Sequence, residues 1–103
     1  MWDDKHQGIA DIEKLVAEYN IWELNISPYA KFKIKIYESS SHSFTGYTNI
    51  HIADGFGNFD CAVGYGKTEE DALEDTISQF FLMTARKDKW EEQDFQCADP
   101  YDF

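Results

Sequence analysis

The part of the sequence with the most distinctive chemistry is a run of acidic residues directly after a glycine turn. Residues 64–68 read Gly-Tyr-Gly-Lys-Thr, and three consecutive acids follow them. This pattern predicts the end of a strand, a tight turn and the first turn of a helix, with Thr68 as its N-cap. Carboxylates at a helix start are favoured by the helix dipole, and they can pair with basic side chains of another protein. The acids that we predict to form such a binding surface are Glu69, Glu70, Asp71, Glu74 and Asp75.

Two pairs of these acids are separated by four residues and would face each other along the helix. The pairs are Glu70 with Glu74 and Asp71 with Asp75. Like charges at this spacing destabilise a helix by a few tenths of a kcal/mol per pair. Because folding does not require this acidic face, we interpret it as a candidate functional surface.

Other patterns that could support catalysis, a cofactor or a metal are incomplete. Residues 66–68 match the end of a phosphate-binding loop, but the first glycine of that motif would be Cys61. Residues 54–60 are similar to the start of a calcium loop, whose twelfth position would be Tyr65 instead of glutamate. The three histidines are scattered and have no partner at the spacing of a zinc site. The sequence therefore predicts a protein that is not an enzyme and that has no cofactor and no metal site.

The charge balance limits the partners that this chain can have. Twenty Asp and Glu against nine Lys and Arg give a formal net charge of -11 on 103 residues. Such a chain is repelled by bare nucleic acid and by anionic membranes, and it is attracted to basic protein surfaces. We find neither a signal peptide nor an apolar run long enough for a membrane span, and Cys61 and Cys97 lack paired spacing. We therefore expect a cytoplasmic protein with a basic protein partner, in which Cys61, among alternating apolar residues, lies in the core.

The predicted elements are two helices and three strands. Apolar side chains at spacings of three and four over residues 9–19 predict an amphipathic helix that begins as early as residue 3. Residues 22–26 fit either a short strand or a loop. Alternating side chains predict strands at residues 31–37, 44–53 and 59–65, with a turn at 54–58. The predicted buried stripe of the second helix is Leu73, Ile77, Phe80, Phe81 and Thr84. We therefore expect an α+β fold in the order α-β-β-β-α, with a three-stranded antiparallel sheet and two helices on one face.

Residues 88–103 have a composition of their own, with six acids and four aromatic side chains. We therefore divide the chain into a single domain at 1–87 and an acidic aromatic C-terminal tail at 88–103. Aromatic side chains are costly to leave in water and are enriched at binding hot spots. The tail is thus a second predicted part of the binding surface, and its residues are Trp90, Glu91, Glu92, Asp94 and Phe95.

Three lysines share one side of the first predicted strand. They are Lys31, Lys33 and Lys35. Lysines on a solvated strand discourage pairing with other chains, and a row of lysines can also bind phosphates. Both interpretations remain open for this face.

From Ile12 to Met83 the order and spacing of the predicted elements resemble a double-stranded-RNA-binding domain. In that family a Gly-x-Gly-x-Ser/Thr turn leads into the second helix, as residues 64–68 do here. The family has a lysine pair at the helix start that binds phosphates across a groove. This chain has Glu69 and Glu70 there, so the resemblance implies a binding position with reversed charge. The same stretch, Gly-x-Gly-x-Thr-Glu-Glu-x-Ala-Leu, is also similar to HicB-type antitoxins, which share a sheet-then-helix core.

In size and charge the chain resembles phage-encoded inhibitors, including anti-CRISPR and DNA-mimic proteins. This resemblance implies a non-catalytic protein that inhibits a nucleic-acid-binding protein or complex by occupying its basic surface, in the cytoplasm of the host cell. One alternative is an antitoxin or immunity-type protein that neutralises a basic toxin. A second alternative is a nucleic-acid-binding module that uses the lysine face of the first predicted strand.

Overall fold

An antiparallel sheet with one long helix on one of its faces makes up the described part of the chain. The computed structural model describes residues 11–26, 30–98 and 103. Its strands are β1 (Glu13–Trp22), β2 (Lys31–Ser39), β3 (Phe44–Ala53), β4 (Phe59–Gly66) and β5 (Phe95–Cys97). The helix α1 is Glu69–Thr84, and a short 3-10 turn, Glu92–Asp94, precedes β5. No helix among the described residues is both long enough and apolar enough to cross a membrane.

The first four strands are neighbours in chain order, and β5 adds to the middle of the sheet. β2 pairs with the first half of β3, as far as Thr48, and β5 pairs with residues 50–52 of β3. Asn49 lies where these two pairings meet. Its side-chain oxygen accepts a hydrogen bond from the Lys33 amide, and its carbonyl accepts one from the Ala98 amide, both at 2.7 Å. Because β4 holds the other edge of β3, β2 and β5 share one edge of that strand.

The hydrophobic core lies between α1 and one face of the sheet. Alternate residues of β2 and β3 point to this face, as the sequence pattern predicted for β3. Phe80 of α1 stacks on Phe32 of β2, with ring centroids 4.6 Å apart. The buried apolar side chains of this core are Phe32, Ile34, Ile36, Ile50, Ile52, Ala62, Ala72, Phe80 and Phe95.

The prediction of an amphipathic helix over residues 9–19 is wrong where the structure describes them. Residues 13–22 form β1, which pairs with β2, and residues 1–10 lie outside the described part of the chain. A β-bulge separates Leu15, opposite Tyr37, from Ala17, opposite Ile36. The extra residue moves the following side chains to the other face of the sheet. This shift gives apolar residues on the two sides of the bulge the spacing of a helix face.

The predicted order α-β-β-β-α, with three strands and two helices, is therefore replaced in the described residues by five strands and one helix. The fold is still α+β. The three predicted strands correspond to β2, β3 and β4, and residues 23–26 are not in a strand. The predicted turn at 54–58 is closed by a hydrogen bond from the Asp54 amide to the Asn58 carbonyl at 3.0 Å.

The buried line of α1 includes Phe80 and Thr84 of the predicted stripe, but in the first half of the helix it is shifted by one residue. Residues at a spacing of four are buried, namely Ala72, Thr76, Phe80 and Thr84. Leu73 and Ile77 are only partly buried, and Phe81 is 48 % exposed. The cause is a close approach of helix and sheet, since a Cβ on Gly46 or Gly64 would overlap Thr76. Small side chains therefore lie where the sequence pattern favoured large ones.

Candidate functional site

The start of α1 has the predicted N-cap. The Thr68 side chain accepts a hydrogen bond from the Asp71 amide at 3.1 Å. Gly66 allows the chain to turn back tightly, because a Cβ there would overlap the Ala72 amide and the Asp71 side chain. The Gly-x-Gly pattern thus serves close packing between the helix and the sheet.

Two of the five predicted binding acids on α1 are engaged within the protein. The Tyr19 hydroxyl of β1 donates a hydrogen bond to the Glu69 carboxylate at 2.8 Å, and this bond raises the pKa of Tyr19. The Asp75 carboxylate accepts a hydrogen bond from the backbone amide of Tyr65 at 2.8 Å. Glu69 therefore ties the helix to β1, and Asp75 ties it to the end of β4. Neither carboxylate is wholly available to a partner.

The other three acids, Glu70, Asp71 and Glu74, are exposed. Farther along the helix, Phe81 and Leu82 are also exposed, Leu82 by 64 %. With 3.6 residues per turn, these five side chains point to one side of α1, away from the buried line. We call these five residues the outer α1 surface. It combines carboxylates in its first half with large apolar side chains in its second half.

The predicted tail residues pack against the sheet and the end of α1. Phe95 is only 4 % exposed and belongs to the core. The Trp90 ring is 5.5 Å from the Phe95 ring, and its indole N–H donates to the Thr84 carbonyl at 2.7 Å. Asp94 pairs with Lys87 at 2.8 Å, which lowers the pKa of Asp94.

Two tail acids differ from these packed residues. Glu91 and Glu92 are exposed. Glu92 begins the short turn before β5, and Glu91 precedes it. The Glu91 carboxylate accepts a hydrogen bond from the Gln93 side chain at 3.0 Å, so Glu92 is the more accessible of the two acids to a partner.

The lysines of β2 lie on the sheet face opposite α1, where each has a neighbour. The Lys31 ammonium lies 5.2 Å from the centroid of the Trp22 ring. Lys33 and Lys35 both approach the Glu18 carboxylate, at 3.8 and 3.9 Å. Glu18 thus partly neutralises this face, which weakens it as a phosphate-binding surface.

The same open face of the sheet contains a pocket that the sequence analysis missed. Its volume is about 470 Å³, and the residues that line it are Glu13, Tyr37, Tyr47, Thr48, His51, Cys61, Ala98 and Phe103. Tyr37 and Tyr47, diagonal neighbours on β2 and β3, meet edge to face with centroids 5.8 Å apart. We call this cavity the open-face pocket.

Burial affects two titrating groups of the open-face pocket. Desolvation raises the pKa of Tyr47, and the nearby Glu13 carboxylate raises it further. Desolvation also raises the pKa of the Cys61 thiol, which is half-buried. The prediction that Cys61 lies in the core was wrong, because its side chain points away from α1. Sequence reasoning could not place Glu13 beside these residues, because its position depends on residues 13–22 being a strand.

Among the described residues, no three His, Cys, Asp or Glu side chains come close enough to hold a metal ion. Comparisons with family models, with curated proteins and with solved structures found no match to this chain.

Proposed function

We propose that this protein is a non-catalytic inhibitor that binds the basic surface of a nucleic-acid-binding protein through the outer α1 surface. The observation that carries the proposal is the composition of that surface. Three exposed carboxylates and, about two turns farther along, two large exposed apolar side chains lie on one side of a single helix. Protein interfaces combine a desolvated apolar part with charges that steer association, and this surface has both.

The size of the acidic part of the outer α1 surface limits the kind of basic surface that it can bind. Glu70 and Glu74 are four residues apart, so they span about 6 Å along the helix axis. That length fits a compact group of lysines or arginines beside an apolar recess. The proposal places the encounter in the cytoplasm, and the free thiols of Cys61 and Cys97 are compatible with a reducing compartment.

The test uses two variants with the same change of charge. Glu70→Lys/Glu74→Lys alters the outer α1 surface, and Glu91→Lys/Glu92→Lys alters the exposed turn before β5. The wild-type protein is immobilised, basic proteins are captured from lysate of the source cells, and each captured protein is purified for titration. If the proposal is correct, a nucleic acid that the partner binds competes with the wild-type protein for it.

We expect the α1 variant to bind the partner at least tenfold more weakly than the wild type, because lysine would oppose lysine and arginine. The turn variant should lose much less, since only long-range attraction is reduced. Thermal melting should show both variants folded, because all four replaced side chains are exposed. The α1 variant exchanges one like-charge pair for another of opposite sign, so the stability of the helix should change little. Equal losses in the two variants, or no competition by nucleic acid, would contradict the proposal.

A further inference from the structure

The open-face pocket combines aromatic rings with a carboxylate. Tyr37 and Tyr47 cross at an interplanar angle of 72°, so their ring faces are nearly perpendicular. Phe103 adds a third ring to the lining. Glu13, at the beginning of β1, adds the one side-chain carboxylate among the described residues that line the cavity. Burial raises the pKa of Tyr47, and the Glu13 carboxylate raises it further.

We propose that the open-face pocket binds an organic ammonium cation, such as a quaternary ammonium group. The faces of aromatic rings attract cations, and cages of several rings select alkylated ammonium groups because these are large and weakly hydrated. The carboxylate of Glu13 adds charge complementarity. The cavity of about 470 Å³ lies in the size range of small-molecule sites. This inference does not depend on the outer α1 surface.

One cation of the protein itself contacts the lining of the pocket. The Lys35 ammonium group lies 4.6 Å from the centroid of the Phe103 ring. It also donates to the Phe103 carbonyl at 2.9 Å. Its approach to Glu18, which is not a lining residue, partly balances its charge outside the pocket. The Phe103 ring is thus already part of one cation–π contact.

The test compares choline with 3,3-dimethyl-1-butanol, which has the same shape and no charge. Each compound is titrated into the full chain labelled with ¹⁵N, and amide shifts report both binding and its location. We expect choline to bind about tenfold more tightly than the alcohol, with shifts concentrated around Tyr47 and Cys61. Equal affinities, or no shifts from choline at tens of millimolar, would overturn the proposal.

Three variants distinguish choline binding in the open-face pocket from binding at another aromatic surface. Glu13→Gln keeps the size of the side chain and removes its charge, and Tyr47→Leu removes a ring face. We expect both to lower choline affinity severalfold while amide spectra confirm the fold. Trp22→Leu is the matched control, because Trp22 is an exposed ring on the same sheet face with Lys31 already beside it. If only the control loses binding, choline binds at Trp22 and the proposal is wrong.

A free small cation and a modified protein side chain share this chemistry. A second titration therefore uses an N-acetylated, C-amidated trimethyllysine. Tighter binding of this compound than of choline assigns the site to a methylated lysine of another protein. The reverse order assigns it to a free small cation. If neither compound binds, the pocket proposal is wrong, and the proposed function of the outer α1 surface is not affected.

Discussion

Replacing Phe95 by alanine tests whether the C-terminal segment is part of the folded domain. Phe95 is 4 % exposed, belongs to the core and carries β5 onto the free part of the β3 edge. Its ring is 5.5 Å from the Trp90 ring. The substitution therefore removes core packing and loosens the support of the turn that carries Glu91 and Glu92.

The expected loss is large compared with the stability of a domain of this size. Truncation of a buried phenylalanine to alanine costs about 3–5 kcal/mol. A domain of about 100 residues has roughly 5–15 kcal/mol in total, and each kcal/mol lowers its melting temperature by about 4–8 °C. Because Phe95 lies on a three-residue strand that can relax, we expect the low end, about 3 kcal/mol, and a melting temperature lower by more than 10 °C.

Urea denaturation followed by circular dichroism measures this loss. Gln96→Ala is the matched control, because Gln96 is the next residue of β5 and its side chain is exposed. We expect the control to lie within about 0.5 kcal/mol of the wild type. If Phe95→Ala were as stable as the control, residues 88–103 would be a separable tail, and the docking of β5 would be refuted.

Two further predictions concern the close packing of α1 and the state of the thiols. Gly64→Ala should destabilise the protein by about 1–3 kcal/mol, because the new methyl group would overlap the Thr76 backbone, and an unchanged urea midpoint would contradict this packing. Cys97, which is exposed, should react with a disulfide reagent before Cys61, whose pKa is raised by burial, so that less of it is thiolate at a given pH. In the variant Cys97→Ser, the slow reaction of Cys61 should accelerate as the pH rises. Equal reaction rates for the two thiols of the wild type would contradict the placement of Cys61.

The central hairpins could be predicted because each strand there keeps an uninterrupted alternation. In β3 the residues 48, 50 and 52 are buried, and their neighbours are not. β1 could not be predicted in the same way, since its bulge after Leu15 interrupts the alternation. After the bulge, Ala17, Tyr19 and Ile21 do alternate, and they lie opposite the three buried apolar residues of β2. A window limited to residues 17–22 would have favoured a strand.

The packing of the C-terminal segment depends on a strand pairing between residues far apart in the sequence, which local sequence patterns cannot predict. β2 separates from β3 at Asn49, and only this separation leaves an edge for β5. The three residues of β5 are too few for periodicity to indicate a strand. The acids and aromatic rings of the segment were interpreted as part of a binding surface, although Lys87 pairs with Asp94 and the backbone of β5 pairs with β3. The same reasoning explains why Phe95 was predicted to bind a partner when it is a core residue.

For the candidate site, the charge pattern predicted where the acids lie but not which of them are bonded within the protein. The pattern located five acids on α1, but it could not show that the Tyr19 hydroxyl and the Tyr65 amide each engage one of them. Three exposed carboxylates within about one helical turn correspond to only a few phosphates, since duplex DNA carries one charge per 1.7 Å of its axis. An extended mimic of a duplex would need a longer row of acids than this. A short basic patch beside an apolar recess is the surface that best complements the carboxylates together with Phe81 and Leu82. The proposal therefore predicts that the partner's affinity depends on these two apolar side chains as well as on salt.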